Sequence, residues 1–428
     1  MMKKKLSLIT LLALSVQGLF AQGLLSHLND TTNKRSLFER VTNIEKKNNL
    51  FNLKLHMQAT FNGAFTDGTF KQAAFKMNQL RLEARGNIND WLSYRWRQRL
   101  NSSNTPHALD NLPSSIDYAM LSVRLTDKLV TSIGKQAAAY GGFEYDLDPI
   151  EIYQYSDMID YMLFDFMTGI TFSYQITPTQ EIALQAVNSR TASMDDIYGQ
   201  LPEDVDESHA PLAYTANWNG NFFNDKLKTR WSYSLLSLAK GYNNHFYAIG
   251  NELDLGKFNM YLDFYLSDEE LDNRGIISSL YRLQGDADCI KNARYESWVT
   301  KLNYRFQPKW NIFVKGMYEN ASIYKHIDQL EKGKYRTAYG YFGGIEYYPT
   351  MENLHFFASY IGRSYRFTGK AKALGAENYS TSTLSIALIY HTPLFYIKKI
   401  NTANLLMVAL FPVSAPRHRK KQHTHEYQ

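Results

Sequence analysis

The stretch FNLKLHMQATF, from Phe51 to Phe61, alternates apolar and polar side chains without a break over eleven residues. Successive side chains of a β-strand point to opposite faces, whereas an α-helix repeats every 3.6 residues. The pattern therefore predicts a strand with one apolar and one polar face. The apolar set is Phe51, Leu53, Leu55, Met57, Ala59 and Phe61, and the polar set is Asn52, Lys54, His56, Gln58 and Thr60.

The same period of two recurs along the chain as far as Phe395 and gives sixteen predicted strands. Many have about ten residues, a length that suits a tilted bilayer crossing, whereas strands of soluble proteins usually have about five or six. Short and long connections alternate between them. The predicted long connections are 62–74, 101–115, 137–167, 190–211, 236–244, 267–296, 321–336 and 364–378.

These features predict an all-β fold, a transmembrane antiparallel β-barrel of about 16 strands with short periplasmic turns and long extracellular loops. A pair of β-sandwiches or a propeller also has alternating strands, but neither requires this asymmetry between the connections. No segment after the N-terminus offers the ~20 uninterrupted apolar residues of a membrane-spanning helix. The composition, with 31 Tyr, 24 Phe and only 11 Pro, also favours strands.

The N-terminus has the features of an export signal. Lys3, Lys4 and Lys5 precede an apolar run that begins at Leu6, and a cleavage point follows Ala21. We therefore divide the chain into a signal peptide (1–21), a periplasmic N-terminal segment (22–50), the barrel (51–395) and a C-terminal tail of unknown role (396–428). Residues 35–50 form either a short amphipathic helix or a linker.

The net charge of +6 is concentrated at the two ends of the chain. The signal lysines and six basic residues after Tyr396 account for the excess, so the body of the chain is nearly balanced. This distribution gives no basis for a nucleic-acid partner.

Charged residues in the strands predict the lining of a pore. A lysine or arginine on the lipid face costs roughly 2 to 4 kcal/mol at the midplane, so such residues should face the lumen. Guanidinium groups stay charged and bind phosphate or carboxylate in a fork, which favours passage of small anions. The alternative is that the arginines pair with acids and merely fill the lumen. The predicted pore-lining residues are Arg81, Arg85, Arg95, Arg97, Arg99, Lys54 and Lys135.

The long connection 137–167 is acidic and aromatic. If it folds inward, Glu144, Asp146 and Asp148 become the acids of a constriction opposite the arginines. The other interpretation is an extracellular loop over the mouth, binding calcium through its acids. We expect the inward fold.

Enzyme motifs are absent from the sequence, which has no G-x-S-x-G, no H-E-x-x-H and no phosphate-binding glycine loop. We therefore predict no enzyme activity, no cofactor and no metal site. His56, His245 and His355 lie in predicted strands and are interpreted as polar filling, and His418, His423 and His425 lie in an unpatterned tail.

Several stretches resemble the phosphate-selective porin O and P family of Gram-negative outer membranes. They are Leu80 to Arg99 (LRLEARGNINDWLSYRWRQR), Asn111 to Ala119 (NLPSSIDYA), Gly134 to Gln136, Gly142 to Pro149, Met167 to Gly169 and Ile176 to Gln180. The resemblance implies a sixteen-stranded barrel in the cell outer membrane, a homotrimer, and flow of small anionic or polar solutes. Phosphate selectivity is not implied, because no full arginine ladder is matched.

The sequence thus predicts a passive outer-membrane porin in contact with outer-membrane lipid, with a preference for small anions, among which phosphate is a candidate. The alternative is a non-conducting barrel that acts as a receptor, adhesin or structural protein. One departure is the tail, since such barrels usually end on a strand that closes with an aromatic residue, here Phe395. The chain continues beyond it, either as an added periplasmic segment or as the product of an altered reading frame.

Overall fold

The computed structural model describes residues 49–104, 109–162, 165–199, 201–202, 204–282, 289–327, 330–349, 354–398 and 407–409. The predicted signal peptide and nearly all of the N-terminal segment lie outside these residues. The strands are β1 (Asn49–Thr66), β2 (Thr69–Asn87), β3 (Leu92–Arg99), β4 (Ile116–Arg124), β5 (Leu129–Ala137), β6 (Phe166–Thr177), β7 (Gln180–Asn188), β8 (Leu212–Phe222), β9 (Leu227–Ala239), β10 (Tyr242–Asp254), β11 (Phe258–Leu271), β12 (Lys291–Gln307), β13 (Trp310–Ile323), β14 (Gly333–Tyr347), β15 (Leu354–Phe367), β16 (Tyr379–Lys398) and β17 (Met407–Ala409).

The first sixteen strands form a closed antiparallel barrel. Each strand pairs with its neighbour in the chain, and β1 pairs with β16, for example with Phe61 opposite Ile386. Closure leaves no unpaired sheet edge along the paired length, which is the condition for spanning a membrane with strands. The predicted fold class is confirmed. The tail contributes β17, which pairs with the end of β16.

Among the described residues, no helix is long and apolar enough to cross a membrane.

The strand faces follow the predicted alternation. Apolar side chains such as Leu121, Ile133 and Phe172 are about half exposed on the outside, while alternate positions are buried toward the lumen. The apolar exterior is the surface that meets lipid in a transmembrane barrel.

Two of the predicted long connections are in fact tight hairpins. Strands β1 and β2 meet at Asp67-Gly68, and β9 and β10 meet at Lys240-Gly241, so the predictions for 62–74 and 236–244 are wrong. Asp67 and Gly68 both have positive φ, at 47° and 76°, which is the backbone of a two-residue turn that matches strand twist. The strands simply continue further than the clean alternation does.

The remaining connections at this rim are longer, and four of them carry short helices among the described residues. They are α1 (Phe143–Asp146), a 3-10 turn (Pro149–Glu151), α2 (Asp157–Asp160), α3 (Met194–Tyr198), α4 (Ile276–Tyr281) and α5 (Gly369–Ala373). At the opposite rim, where β1 begins, the turns are short.

Candidate functional site

The connection between β5 and β6, of which residues 138–162 and 165 are described, folds into the barrel; we call it the inner loop. Its side chains and backbone contact inward positions on β2, β3, β9, β11, β13, β14 and β15, which lie around the whole circumference. A segment outside the barrel could not reach all these strands at once. The structure therefore places this loop across the lumen.

One tether holds the start of the inner loop. The carboxylate of Asp263, on β11, accepts hydrogen bonds from the backbone N–H groups of Phe143 (2.9 Å) and Glu144 (2.7 Å). The Tyr265 hydroxyl donates to the same carboxylate at 3.0 Å. Gly142, with φ 83°, packs so close to Tyr265 that a Cβ would overlap the ring. The first turn of α1 is thus fixed to the wall.

A second tether holds α2 through buried charges. Asp157 pairs with Arg336 on β14 and with Arg363 on β15, at 2.5 and 2.6 Å. Arg363 also pairs with Glu319 on β13 at 2.7 Å, and Glu319 accepts from the backbone N–H of Met158 at 3.0 Å. Breaking such a buried pair typically costs about 3 to 5 kcal/mol, so this network opposes movement of α2.

Between the tethers, apolar packing fills one side of the lumen. Phe143 stacks on Tyr261 with ring centroids 6.4 Å apart, and Tyr153 stacks on Phe357 at 4.0 Å. Met158 belongs to the same buried cluster as residues of β10 to β15. This part of the lumen is apolar because the loop supplies an apolar surface for these strands to cover.

The other side of the lumen stays open. A cavity of about 830 Å³ lies between the inner loop and strands β2 to β9. Among the described residues its charged lining consists of six cationic and five acidic side chains, so the cavity is close to neutral. They are Arg81, Arg95, Arg97, Arg99, Lys135 and Arg230, with Asp146, Asp148, Asp160, Asp165 and Asp196.

The arginines on β2 and β3 are held by an acid that sequence reasoning missed. Asp117, which is fully buried, lies 3.0 Å from Nε of Arg97 and of Arg99, and 3.5 Å from Arg81. The pairing of β3 with β4 skips Asp117 as a β-bulge, so Asp117 and the next residue, Tyr118, both face inward. A strict period of two assigns Asp117 and Tyr118 to opposite faces of β4, so sequence alternation alone could not predict that both face inward.

Other arginine partners lie on the neighbouring strands. Arg95 is 2.8 Å from Glu83, and its guanidinium stacks on the ring of Tyr118 at 3.7 Å. Cation–π contacts of this kind add to the ion pair and fix the orientation of the guanidinium. The alternative that the arginines pair with acids thus describes much of this wall, although Arg99 keeps 34% of its side chain exposed.

The predicted loop acids have different surroundings. Asp148 touches the arginines, 3.5 Å from Arg97 and 3.9 Å from Arg81. Asp146 lies 3.5 Å from Arg230 at the cavity margin. Glu144 is fully buried on the far side of the loop, where it pairs with Lys315 and accepts from the Ser156 hydroxyl at 2.6 Å. Glu144 therefore fastens the loop and does not line the cavity.

Of the remaining predicted pore residues, one lines the cavity and two do not. Lys135 lines the cavity and pairs with Asp110 at 3.0 Å. Lys54 and Arg85 face inward on β1 and β2 but are not part of the cavity lining described above. Arg230 on β9, which is not among the predicted pore-lining residues, does line it.

Two loop acids have raised pKa values. Burial raises the pKa of Asp165 to about 7, against the opposing effect of Arg99. Burial also raises the pKa of Asp146 to about 6, although Arg230 lowers it. The Asp146 side chain is 32% exposed to lumen water, which favours its charged form. Burial alone would raise the pKa of Asp148, but Arg97, His56 and Arg81 hold it below its ordinary value.

Within the described ranges, no group of three or more His, Cys, Asp or Glu side chains is arranged to hold a metal ion.

The barrel resembles solved outer-membrane channels. It matches the outer membrane channel DcaP of Acinetobacter baumannii at 10% identity and a TM-score of 0.56, covering 80% of this chain and 97% of that one. It matches Salmonella typhi OmpF in complex with daunomycin at 11% identity and 0.53, covering 82% and 99%. Identities this low show a shared fold and nothing more. No curated protein sequence matches the chain.

The family model for "Phosphate-selective porin O and P" matches residues 51–391, which span nearly the whole barrel. This match and the closed sixteen-stranded barrel agree with the resemblance found in the sequence. The chain therefore belongs to the phosphate-selective porin O and P family and is a porin of the Gram-negative outer membrane, a passive diffusion channel for small solutes.

Proposed function

We propose that this porin passes small anions more readily than cations, through the cavity between the inner loop and the arginine wall, which consists of Arg81, Arg95, Arg97 and Arg99. The observation that carries the proposal is the layering of charge on this wall. Arg99 and Arg95 reach the cavity, while their partner acids Asp117 and Glu83 lie buried behind them. On this wall a solute therefore meets Arg95 and Arg99 before it meets Glu83 and Asp117.

The preference should be moderate, because the cavity lining is nearly balanced in formal charge. An anion interacts with the nearest charges most strongly, since Coulomb energy falls with distance and salt screens it further. Guanidinium groups also offer the paired donors that phosphate and carboxylate accept. Small anions with such oxygens, phosphate included, are the solutes that this wall would favour.

The test is a planar-bilayer recording of the purified chain in a salt gradient. The proposal requires stepwise conductance and a reversal potential on the anion side of zero. A cation-selective channel would overturn the anion preference. Absence of any conductance would instead favour the non-conducting barrel, a receptor, adhesin or structural protein.

The proposal includes no chemical change to the solute, so the protein is not an enzyme in this account. It includes removal of residues 1–21 on export, which the mass of the mature N-terminus would verify.

It also includes a homotrimer. Phe70 and Phe75 of β2 are 57% and 85% exposed, on a stretch of β2 for which the described residues of β3 provide no pairing. A neighbouring subunit would cover this surface. Chemical cross-linking in detergent would give a trimer band if this is right and a monomer alone if it is wrong.

A further inference from the structure

Two histidines face each other where the barrel closes. His56 on β1 and His391 on β16 are directly opposite in the strand register. Their Nδ1 atoms are 2.9 Å apart, and the rings stand nearly perpendicular, at 79°. The two Nδ1 atoms face each other within hydrogen-bond distance, and a bound ion would take the place of the proton that they share.

The outer nitrogen of each ring contacts a carboxylate. Nε2 of His391 is 3.1 Å from Oε1 of Glu151, in the 3-10 turn of the inner loop. Nε2 of His56 is 3.1 Å from Glu83, an ion-pair distance without the alignment of a hydrogen bond. A histidine that ligates a metal usually gives its other ring N–H to a carboxylate, which orients the ring and raises its basicity. His391 has such a partner in Glu151, and His56 has a carboxylate at ion-pair distance.

The separation of the two Nδ1 atoms indicates a coordination geometry. Two nitrogens about 2.05 Å from one ion are about 2.9 Å apart when they subtend a right angle, and about 3.3 Å apart in a tetrahedron. The observed 2.9 Å fits adjacent positions of a tetragonal or octahedral ion. Imidazole with this geometry is typical of Cu²⁺ and Ni²⁺.

We propose that His56 and His391 bind one divalent transition-metal ion, Ni²⁺ or Cu²⁺, through their Nδ1 atoms. Water or a passing anion completes the coordination, because the protein supplies two ligands. The site is open to the lumen, since 21% of the His391 side chain and 42% of the Glu151 side chain are exposed. This inference goes beyond the proposed function, and it holds or fails whether or not the channel prefers anions.

The first test is calorimetric titration of the full chain in detergent with Ni²⁺. His418, His423 and His425 are replaced by Gln in every variant, so that Ni²⁺ bound to the tail cannot contribute to the signal. The expected result is one ion per chain in this background. His391→Gln should weaken binding at least tenfold, and Glu151→Gln should weaken it by about 10- to 100-fold as the loss of an outer partner.

The matched control is His245→Gln. His245 lies in β10 and bonds the Tyr233 hydroxyl through Nδ1 at 2.8 Å, away from the seam. Its replacement should leave Ni²⁺ binding unchanged. Absence of binding in the background, or equal affinity after His391→Gln, would overturn the proposal.

A second measurement needs no change at the seam and so remains decisive if His391→Gln fails to fold. Less than one equivalent of Cu²⁺ is added to the chain in which only the three tail histidines are replaced. The electron paramagnetic resonance spectrum of the ion is then recorded. A tetragonal spectrum with hyperfine coupling to two imidazole nitrogens supports the site. Coupling to one nitrogen or to none refutes it.

Discussion

Replacing Arg99 by Gln gives the sharpest test of the charged wall. Its side chain is the most exposed of the three cations that Asp117 holds, so the change removes a charge that a solute meets directly. Arg81 and Arg97 remain beside Asp117 and limit the structural damage. We expect a weaker preference for anions with the channel still open.

The size of the effect follows from Coulomb's law. At about 5 Å in water a unit charge contributes ~0.8 kcal/mol, and screening at 0.1 M salt reduces this to about 0.5 kcal/mol. Loss of Arg99 raises the energy of an anion and lowers that of a cation by this amount. The discrimination thus falls by about 1 kcal/mol, or ~5-fold in the anion-to-cation permeability ratio.

The assay is the reversal potential of single channels in a KCl gradient near 0.1 M. Repeating it near 1 M salt, where the screening length is about 3 Å, should reduce the change to less than twofold. Lys240→Gln removes the same charge from the β9–β10 turn, where the side chain is 71% exposed, and should have no effect. An Arg99→Gln channel that conducts with an unchanged ratio would refute the reasoning.

Three further predictions concern the inner loop and the tail. Lowering the pH from 8 to 5 should protonate Asp165, whose pKa is about 7, and then Asp146, so the anion-to-cation ratio should rise; a channel with both replaced by Asn should show no such rise, and an equal rise in both proteins would contradict the assignment. Asp263→Ala removes the acceptor of two backbone hydrogen bonds from α1, each worth about 0.5 to 1.5 kcal/mol. We expect larger and noisier single-channel currents, whereas currents identical to the wild type would show that this tether does not hold the loop. Truncation after Lys398 should leave barrel assembly intact. The measurement is electrophoresis of the unheated protein in detergent, in which an assembled barrel resists unfolding. Failure to assemble would show that the tail is part of the barrel.

The period of two was sufficient to predict the fold, because lipid outside and water inside impose opposite demands on the two faces of each strand. The period of two failed to predict the strand ends, where the difference between a lipid-facing and a water-facing side no longer applies. Beyond Phe61 the first hairpin loses its clean alternation, so the predicted strands ended before the real ones do. Asp67-Gly68 was a readable signal for a tight hairpin, since Asp-Gly supplies two positive φ angles at low cost.

The cavity was less predictable than the fold. The arginines could be assigned to the lumen from alternation alone, but Asp117 could not, because a bulge shifts the register at that one residue. Glu144 was grouped with Asp146 by proximity in sequence. The helical turn of α1 sends the two carboxylates to different sides of the loop, one to Lys315 and one to Arg230. Nor does the sequence give the register between β1 and β16, which brings His56 to His391.

A cavity lining that is nearly neutral in formal charge can still select by charge. The energy of a solute depends on its distance from each charge as well as on the sum of the charges. Asp117 has no exposed side-chain surface, whereas Arg99 keeps a third of its own. The acid fixes the guanidinium groups in place and partly offsets their field in the cavity, but it lies farther from the solute than they do. Replacing Asp117 by Asn would therefore raise anion preference less than Arg99→Gln lowers it, and would loosen the arginines that it orients. The preference for anions therefore arises because Asp117 is buried more deeply than Arg99. The inner loop contributes by keeping the solute on the arginine side of the lumen.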